Sequence, residues 1–136
     1  MPTDELIQSL AGLALFSDLA NPDLEAIADP ERERRFAAGE RVLRKGLSGA
    51  GFYVILGGEA AVEIDGREPR ILHRGDFFGE VSTLLGTVPS ADVVAHTPLH
   101  CLEIPGPKLE AFLLAYPRVA YRMLQTVTRR LQDLLE

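Results

Sequence analysis

Glycine interrupts the middle of the chain so often that only short strands fit between the breaks. From Arg32 onward, glycines separate apolar segments such as Val42–Leu43, Phe52–Leu56 and Ala60–Ile64. The last of these alternates with polar residues and leads into Asp65-Gly66, a strong signal for a hairpin turn. Parallel strands are excluded because no crossover helix fits between the segments. The pattern predicts a mainly β fold, an antiparallel sandwich or barrel.

Helical patterns flank this region. On the N-terminal side, a Thr3/Asp4 cap precedes apolar residues at helical spacing, and Asn21-Pro22 begins a second helix with Asn21 as N-cap. The apolar positions predicted to be buried are Leu6, Ile7, Leu10 and Leu13 in the first helix and Leu24, Ala26 and Ile27 in the second. Residues 1–30 are therefore predicted to form an N-terminal helical segment.

On the C-terminal side, Gly106-Pro107 restarts a helix that Tyr116-Pro117 breaks, and a last helix covers 116–135. The inward residues of the first of these are predicted to be Leu109, Phe112 and Leu113. The last helix carries an apolar seam at alternating spacings of four and three: Ala120, Leu124, Val127, Leu131 and Leu134. This seam fits a homodimer formed through helix 116–135. It fits equally well a helix packed on its own barrel.

Composition and charge restrict the class of protein. The 136 residues suit one domain, 1–136, divided into N-terminal helices 1–30, barrel 31–105 and C-terminal helices 106–136. The net charge of −6 argues against direct binding to nucleic acid. The acidic N-terminus does not resemble a signal peptide, and no apolar run reaches the ~18 residues of a membrane span. The single Cys101 reads as a small buried hydrophobe, and a cytoplasmic location is expected.

Motifs for catalysis are missing from the sequence. The three histidines have no metal-binding spacing, and we expect no metal site and no catalytic residues. The sequence contains no nucleophile elbow, no HExxH motif and no phosphate-binding loop. These observations predict a binding module rather than an enzyme.

The stretch Gly75–Ala95, GDFFGEVSTLLGTVPSADVVA, carries the features of a ligand site. Gly79 permits a positive φ and a close backbone approach, and Glu80 then presents a carboxylate suited to sugar hydroxyls. The segment Val81–Leu85 is predicted to form one helical turn whose first amides favour an anion. Ser90 and the amide of Ala91 would complete the cradle.

The segment FFGEVSTLLGTVPSADVVA closely resembles the phosphate-binding cassette of cyclic nucleotide-binding domains, as in catabolite-activator-type regulators and protein kinase A regulatory subunits. LALFSDLANPDLEAIA resembles the N-terminal helical bundle of that family, FAAGERVLRKGLSGAGFYVILGGEAAVEI resembles the first half of its jelly roll, and LHCLEIPGPKLEAFLLAYPRVAYRMLQTVTRRLQDL resembles its closing strand and two C-terminal helices. The resemblance covers nearly the whole chain. It implies an antiparallel jelly-roll barrel and a ligand-sensing module of a cytoplasmic, bacterial signalling protein.

The resemblance implies a ligand site within the cassette, 78–91. Glu80 matches the residue that bonds the ribose 2′-hydroxyl, Gly79 allows the backbone approach, and Ser90 and Ala91 match the residues that close on the phosphate. Phe78, Val81, Ser82 and Pro89 complete the expected ligand-binding set. Leu134 and Leu135 stand where family members carry base-contacting residues, and would form an apolar lid. The implied ligand is cAMP rather than cGMP.

One residue departs from the family pattern. The arginine that pairs with the phosphate is replaced by Pro89, which also removes a backbone donor. The loss of such a bidentate contact predicts binding weakened by a factor on the order of 10–100. Arg70 or Arg74 could approach from neighbouring strands. Two functions therefore remain open: weak binding of a cyclic nucleotide, or a degenerate domain that acts as an interaction or dimerisation module.

Overall fold

The computed structural model describes residues 4–47 and 51–135. These residues form two compact units, one covering 31–109 and the other combining the chain up to Pro30 with the chain from Glu110 onward. The predicted cap residue Thr3 lies outside the described residues.

The described residues of the first unit form eight short strands. They are β1 (Glu33–Phe36), β2 (Arg41–Leu43), β3 (Phe52–Gly57), β4 (Ala60–Glu63), β5 (Arg70–Leu72), β6 (Phe77–Phe78), β7 (Asp92–Ala95) and β8 (Leu99–Ile104). They pair into two antiparallel sheets, in the orders β1-β8-β3-β6 and β2-β7-β4-β5. The predicted antiparallel jelly roll is confirmed. Turns lie between the strands where the glycines predict them, because the backbone conformation of a glycine ends a strand whatever the distant contacts are.

The two sheets meet across one apolar core. The first sheet contributes Tyr53, Ile55, Phe78, Leu99 and Cys101, and the second contributes Leu43, Ala60, Leu72, Val93 and Ala95. We call the two surfaces that carry these residues the inner faces. Burial of a large apolar side chain stabilises the fold by about 1.5–3 kcal/mol. Burial also raises the pKa of the Cys101 thiol to about 12, so this residue stays a neutral part of the core.

The second unit is helical. On its N-terminal side α1 (Asp4–Ala11) is followed by a 3₁₀ turn (Ala14–Phe16) and α2 (Asn21–Ile27). The predicted N-cap at Asn21 is wrong, since Ala20 is the extended capping residue and Asn21 is the first helical residue. The predicted burial holds for Leu6, Leu10, Leu13, Leu24 and Ile27. It fails for Ala26, which is exposed, because Leu24 and Ile27 share one face of the helix and Ala26 lies on another.

The C-terminal side contains α4 (Leu109–Ala115) and α5 (Pro117–Leu135), and a six-residue helix α3 (Glu80–Leu85) lies between β6 and β7 in the first unit. Pro117 begins α5, as the break at Tyr116-Pro117 predicts. Val119 and Met123 are the buried residues of α5. The predicted seam lies on another face, with Leu124, Leu131 and Leu134 all more than half exposed in the single chain. No helix among the described residues is long and apolar enough to cross a membrane.

An ion cluster ties α5 to the N-terminal part of the same unit. The carboxylate of Asp18 accepts hydrogen bonds from Arg122 Nε at 2.8 Å and Nη2 at 2.9 Å, and from Arg118 Nε at 3.2 Å. The hydrogen bonds from Arg122 lower the pKa of Asp18 to about 2, and Arg118 adds to the effect. The two arginines sit one turn apart on α5, so a single carboxylate holds both.

Candidate functional site

A stacked aromatic pair holds the beginning of the cassette. Tyr53 of β3 lies opposite Phe78 of β6, and their rings stack with centroids 5.0 Å apart and planes 11° apart. The Tyr53 hydroxyl donates to Glu103 Oε2 at 2.6 Å, and Glu103 Oε1 is 3.0 Å from Arg34 Nε. Burial, followed by the Glu103 hydrogen bond, raises the pKa of Tyr53. Tyr53 therefore remains a protonated donor that fixes the ring under Phe78.

Gly79 adopts a conformation that only glycine tolerates at this place. Its φ is +88°, in the left-handed region, and a Cβ atom built on it would overlap the carbonyl oxygen of Gly51. The chain thus passes directly against the start of β3 before it enters α3. This approach sets where the first residue of α3 lies.

That first residue is Glu80, which is buried, with 8% of its surface exposed. A glutamate is rarely buried this deeply in a protein unless its carboxylate is paired. Thr83 closes the turn, since its amide and its Oγ1 donate to the Gly79 carbonyl oxygen at 3.3 and 2.7 Å. Buried Ser82 also points its hydroxyl at that oxygen, at 3.4 Å, whereas Val81 is half exposed.

The second half of the cassette is fixed through the backbone. The Thr87 amide donates to the Ser82 carbonyl oxygen at 3.0 Å, and the carbonyl oxygen of Pro89 accepts from the Gly46 amide at 2.9 Å. Pro89 is buried, Ser90 is exposed and Ala91 is half-buried just before β7. The position of the family arginine is therefore filled by an apolar ring within a well-anchored loop.

Two cations near Gly46, the hydrogen-bond partner of Pro89, contact carboxylates. The Lys45 amide donates to Asp92 Oδ1 at 2.7 Å, and Lys45 Nζ is 3.0 Å from Asp65 Oδ2. Arg41 Nη1 is 3.9 Å from Asp92 Oδ2. The loop after β2, the β4–β5 turn and the start of β7 are thereby joined at one end of the barrel.

Sequence reasoning missed the residues that support the cassette. Tyr53 and Glu103 are 50 positions apart, and Lys45 and Asp92 are 47 apart. No local motif marks such partners, because only the strand pairing brings them together. Of the predicted site residues, Phe78, Gly79, Glu80 and Ser82 form one tightly packed segment.

Within residues 4–47 and 51–135, no group of three or more histidine, cysteine, aspartate or glutamate side chains is arranged to hold a metal ion. Two of the histidines pair singly with carboxylates instead. His73 Nδ1 lies 3.1 Å from Glu59 Oε2, and His100 Nε2 lies 2.7 Å from Glu33 Oε1.

Two proteins of cyclic-nucleotide-dependent kinase systems are similar in sequence to more than two thirds of this chain. The cGMP-dependent protein kinase of Caenorhabditis briggsae is 34% identical over 100 residues, which are 69% of this chain and 13% of the kinase. The cAMP-dependent protein kinase regulatory subunit of Mucor circinelloides is 35% identical over 99 residues, or 70% of this chain and 23% of that subunit. The chain spans less than a quarter of the length of either relative.

A solved structure shares the fold. The regulatory subunit of a cAMP-independent protein kinase A from Trypanosoma brucei superimposes with a TM-score of 0.75 at 25% identity, covering 96% of this chain and 50% of that one. The family model described as the cyclic nucleotide-binding domain matches residues 33–116, more than half of the chain and the whole region from β1 to the end of α4. This chain belongs to the cyclic nucleotide-binding domain family.

Proposed function

We propose that the chain is a non-enzymatic regulatory module that binds a cyclic nucleotide weakly, with cAMP preferred to cGMP. Occupancy of the site is conveyed to its C-terminal helices, which is possible only if the ligand binds the two conformational states with different affinities. The observation that carries the proposal is the buried Glu80 carboxylate, placed at the start of α3 by the close approach of Gly79 to Gly51.

A buried carboxylate at this position suits a sugar. An ionised carboxylate only accepts hydrogen bonds, and the ribose 2′-hydroxyl is a hydrogen-bond donor. The amides of residues 80–82 precede the first bond within α3, from the Thr83 amide to the Gly79 carbonyl oxygen, so they carry no acceptor inside the helix. Together with Ser90 and the Ala91 amide they would receive the phosphate. Phe78 and Val81 would flank the ligand.

Weak affinity follows from Pro89. An arginine at this position would add a two-point contact between two charged groups, worth about 1.5–3 kcal/mol or more, and Pro89 makes no such contact. We therefore expect binding in the micromolar to millimolar range. The preference for cAMP rests on the resemblance to catabolite-activator-type regulators.

Calorimetric titration with cAMP and cGMP tests the proposal. We expect heat of binding with both ligands and the tighter constant with cAMP. Glu80→Gln should weaken both by about tenfold, because a charge-assisted hydrogen bond to the ribose is lost. Glu110→Gln, a change at an exposed residue of α4, is the matched control and should bind like the wild type. The absence of heat at millimolar ligand would exclude the proposal.

A second function is favoured by the exposed seam of α5. A degenerate domain without nucleotide would use Leu124, Leu131 and Leu134 to pair with a second copy of this chain. Spacings of four and three along one face suit a two-helix seam, and isolated exposed leucines do not produce such a stripe. We propose that the chain forms a homodimer through helix 116–135, whether or not a ligand is bound.

Sedimentation equilibrium at increasing protein concentration tests the dimer. The wild type should approach twice the monomer mass, and Leu124→Asp or Leu131→Asp should remain monomeric. Gln125→Asp, at an exposed position off the seam, should still dimerise. A monomer at every concentration for all four proteins would exclude the dimer.

We place the protein in the cytoplasm of a bacterium, where the lone buried thiol of Cys101 stays reduced.

A further inference from the structure

Four side chains form a continuous row across the inner face of the first sheet. Tyr53 of β3 lies opposite Phe78 of β6 on one side and opposite Glu103 of β8 on the other. Arg34 of β1 lies opposite Cys101, which precedes Glu103 by two residues on β8. Alternate residues of a strand share a face, so Arg34 and Glu103 are diagonal neighbours on the core side. The row therefore runs through all four strands, from β1 to the beginning of the cassette.

Each neighbouring pair in this row is in contact. The Arg34 Nε atom lies 3.0 Å from Glu103 Oε1. The other carboxylate oxygen, Oε2, accepts the hydrogen bond of the Tyr53 hydroxyl at 2.6 Å. The Tyr53 ring in turn stacks on the ring of Phe78, with the centroids 5.0 Å apart. Because both partners bind one planar carboxylate group, a change in the orientation of Glu103 displaces the Tyr53 hydroxyl as well.

Backbone carbonyl groups fix the Arg34 end of the row. The Arg34 Nη1 atom donates to the carbonyl oxygens of Glu31 at 2.6 Å and of Glu33 at 2.8 Å. The guanidinium is planar and rigid, so these bonds also set the direction of its Nε–H group. Nε therefore faces Glu103 in a preset direction, although the Arg34 side chain is 44% exposed. The Glu103 side chain is only 18% exposed, and solvent screens an ion pair less there than at the open surface.

The Glu103 carboxylate also borders the close approach that positions Glu80. A Cβ atom built on Gly51 would lie 3.1 Å from Glu103 Oε2, so the carboxylate lies beside the residue that directly precedes β3. The carbonyl oxygen of the same Gly51 is the group against which Gly79 packs. Glu103 is thus next to two supports of the cassette, the Tyr53 hydroxyl and the Gly51 backbone.

We propose that Arg34 is a positioning residue for the ligand site and acts through Glu103 and Tyr53. The inference rests on the proposed binding of a cyclic nucleotide. It adds a residue that lies three strand spacings, roughly 14 Å, from the cassette and does not touch the ligand. Arg34 orients the carboxylate, and the carboxylate holds the Tyr53 hydroxyl. The Tyr53 ring then supports Phe78, two positions before Glu80.

Calorimetric titration with cAMP tests the role of Arg34 in four proteins: the wild type, Arg34→Gln, Arg34→Lys and Arg35→Gln. Arg35 is the matched control, since it is the next residue of β1, is exposed and lies opposite His100, on the other face of the sheet. We expect Arg34→Gln to weaken binding about two- to fivefold, as for a partly exposed ion pair, and Arg34→Lys to keep part of the affinity. Arg35→Gln should bind like the wild type. Equal losses from Arg34→Gln and Arg35→Gln would refute the inference, because long-range charge would then be the cause.

A double-mutant cycle separates positioning from a general loss of stability. Tyr53→Phe removes the hydroxyl and so breaks the path from Arg34 to the cassette. In that background Arg34→Gln should cause no further loss of affinity for cAMP. The same fold-loss from Arg34→Gln with and without the hydroxyl would refute the inference. Thermal unfolding curves set a titration temperature at which every variant is folded.

Nuclear magnetic resonance of the ligand-free protein gives a readout that does not require binding. The amide signal of Gly79 should shift in Arg34→Gln and stay in place in Arg35→Gln. If the wild type gives no heat with cAMP but the Gly79 signal responds to Arg34→Gln alone, the proposed function is refuted while Arg34 still positions the cassette. If the wild type binds, and neither its affinity nor the Gly79 signal responds to Arg34→Gln, the proposed function stands and the role of Arg34 is refuted.

Discussion

The carbonyl oxygen of Pro89 accepts a hydrogen bond from the Gly46 amide at 2.9 Å, so the loop that replaces the family arginine is anchored through its backbone. The anchor uses a carbonyl group that every residue possesses. A side-chain change at Pro89 can therefore alter the chemistry of the site while the loop keeps its attachment to the turn after β2.

Pro89→Arg should strengthen cyclic nucleotide binding by about tenfold or more, because a charge-assisted contact to the phosphate is added. Titration calorimetry with cAMP measures it. The control is Val88→Arg, which adds the same charge at an adjacent, half-exposed position and should leave the affinity nearly unchanged. Equal gains from both variants would mean that long-range charge, rather than a contact at position 89, raises the affinity.

Gly79→Ala should destabilise the barrel more than Gly39→Ala does. Both glycines have a φ of +88°, so both substitutions carry the left-handed strain of about 1–2 kcal/mol. Only at Gly79 would the new Cβ overlap the Gly51 carbonyl oxygen, since nothing lies within 4 Å of a Cβ at Gly39. The difference between their free energies of unfolding, measured in urea, gives the cost of the contact between the new Cβ at position 79 and the Gly51 carbonyl oxygen. Equal losses would show that Gly79 is required for its φ alone.

Tyr53 should stabilise the cassette through two separable contacts. Tyr53→Phe removes the hydroxyl bonded to Glu103 but keeps the ring on Phe78, and should cost about 1.5–3 kcal/mol as the loss of a bond to a charged group. Tyr53→Leu removes the stacking as well and should cost about 0.5–1.5 kcal/mol more than burial predicts. Urea unfolding followed by circular dichroism gives both values. A Tyr53→Phe variant as stable as the wild type would contradict a role for the hydroxyl.

The ion cluster of Asp18 with Arg118 and Arg122 should make the folded protein less stable as the pH falls into the acid range. The folded-state pKa of Asp18 is lowered from 3.8 to about 2 by the Arg122 and Arg118 contacts. Its stabilisation is therefore complete above the unfolded-state pKa and is lost as the pH falls through about 2. The melting temperature of Asp18→Asn should be below that of the wild type near neutral pH, and the gap should close near pH 2.

Glu25→Gln, an exposed change on α2, is the control for this titration and should show no such gap. A gap between the wild type and Asp18→Asn that is constant across the acid range would mean that the Asp18 carboxylate is not the group responsible.

The strands and the cassette could be located from the sequence because their signals are local. Gly66 and Gly75 have positive φ values in the turns that end β4 and β5, and Pro117 begins α5 where the pattern breaks. Glycine and proline act through their own backbone angles, which do not depend on distant residues. Gly79 and Glu80 could also be located from the local sequence.

Tertiary structure decided which groups act together. The apolar seam of α5 fitted a second copy of the chain and its own barrel equally well, and only packing selected Val119 and Met123 for burial and left Leu124 exposed. Strand register, a long-range property, placed Arg70 across Val62 on the inner face and set Tyr53 beneath Phe78. A one-residue slip would reverse both assignments, because alternate residues of a strand point to opposite faces. The amino-acid sequence alone indicated the cassette and the departure at Pro89, while the pairing of the strands determined which distant residues, such as Tyr53 and Glu103, support it.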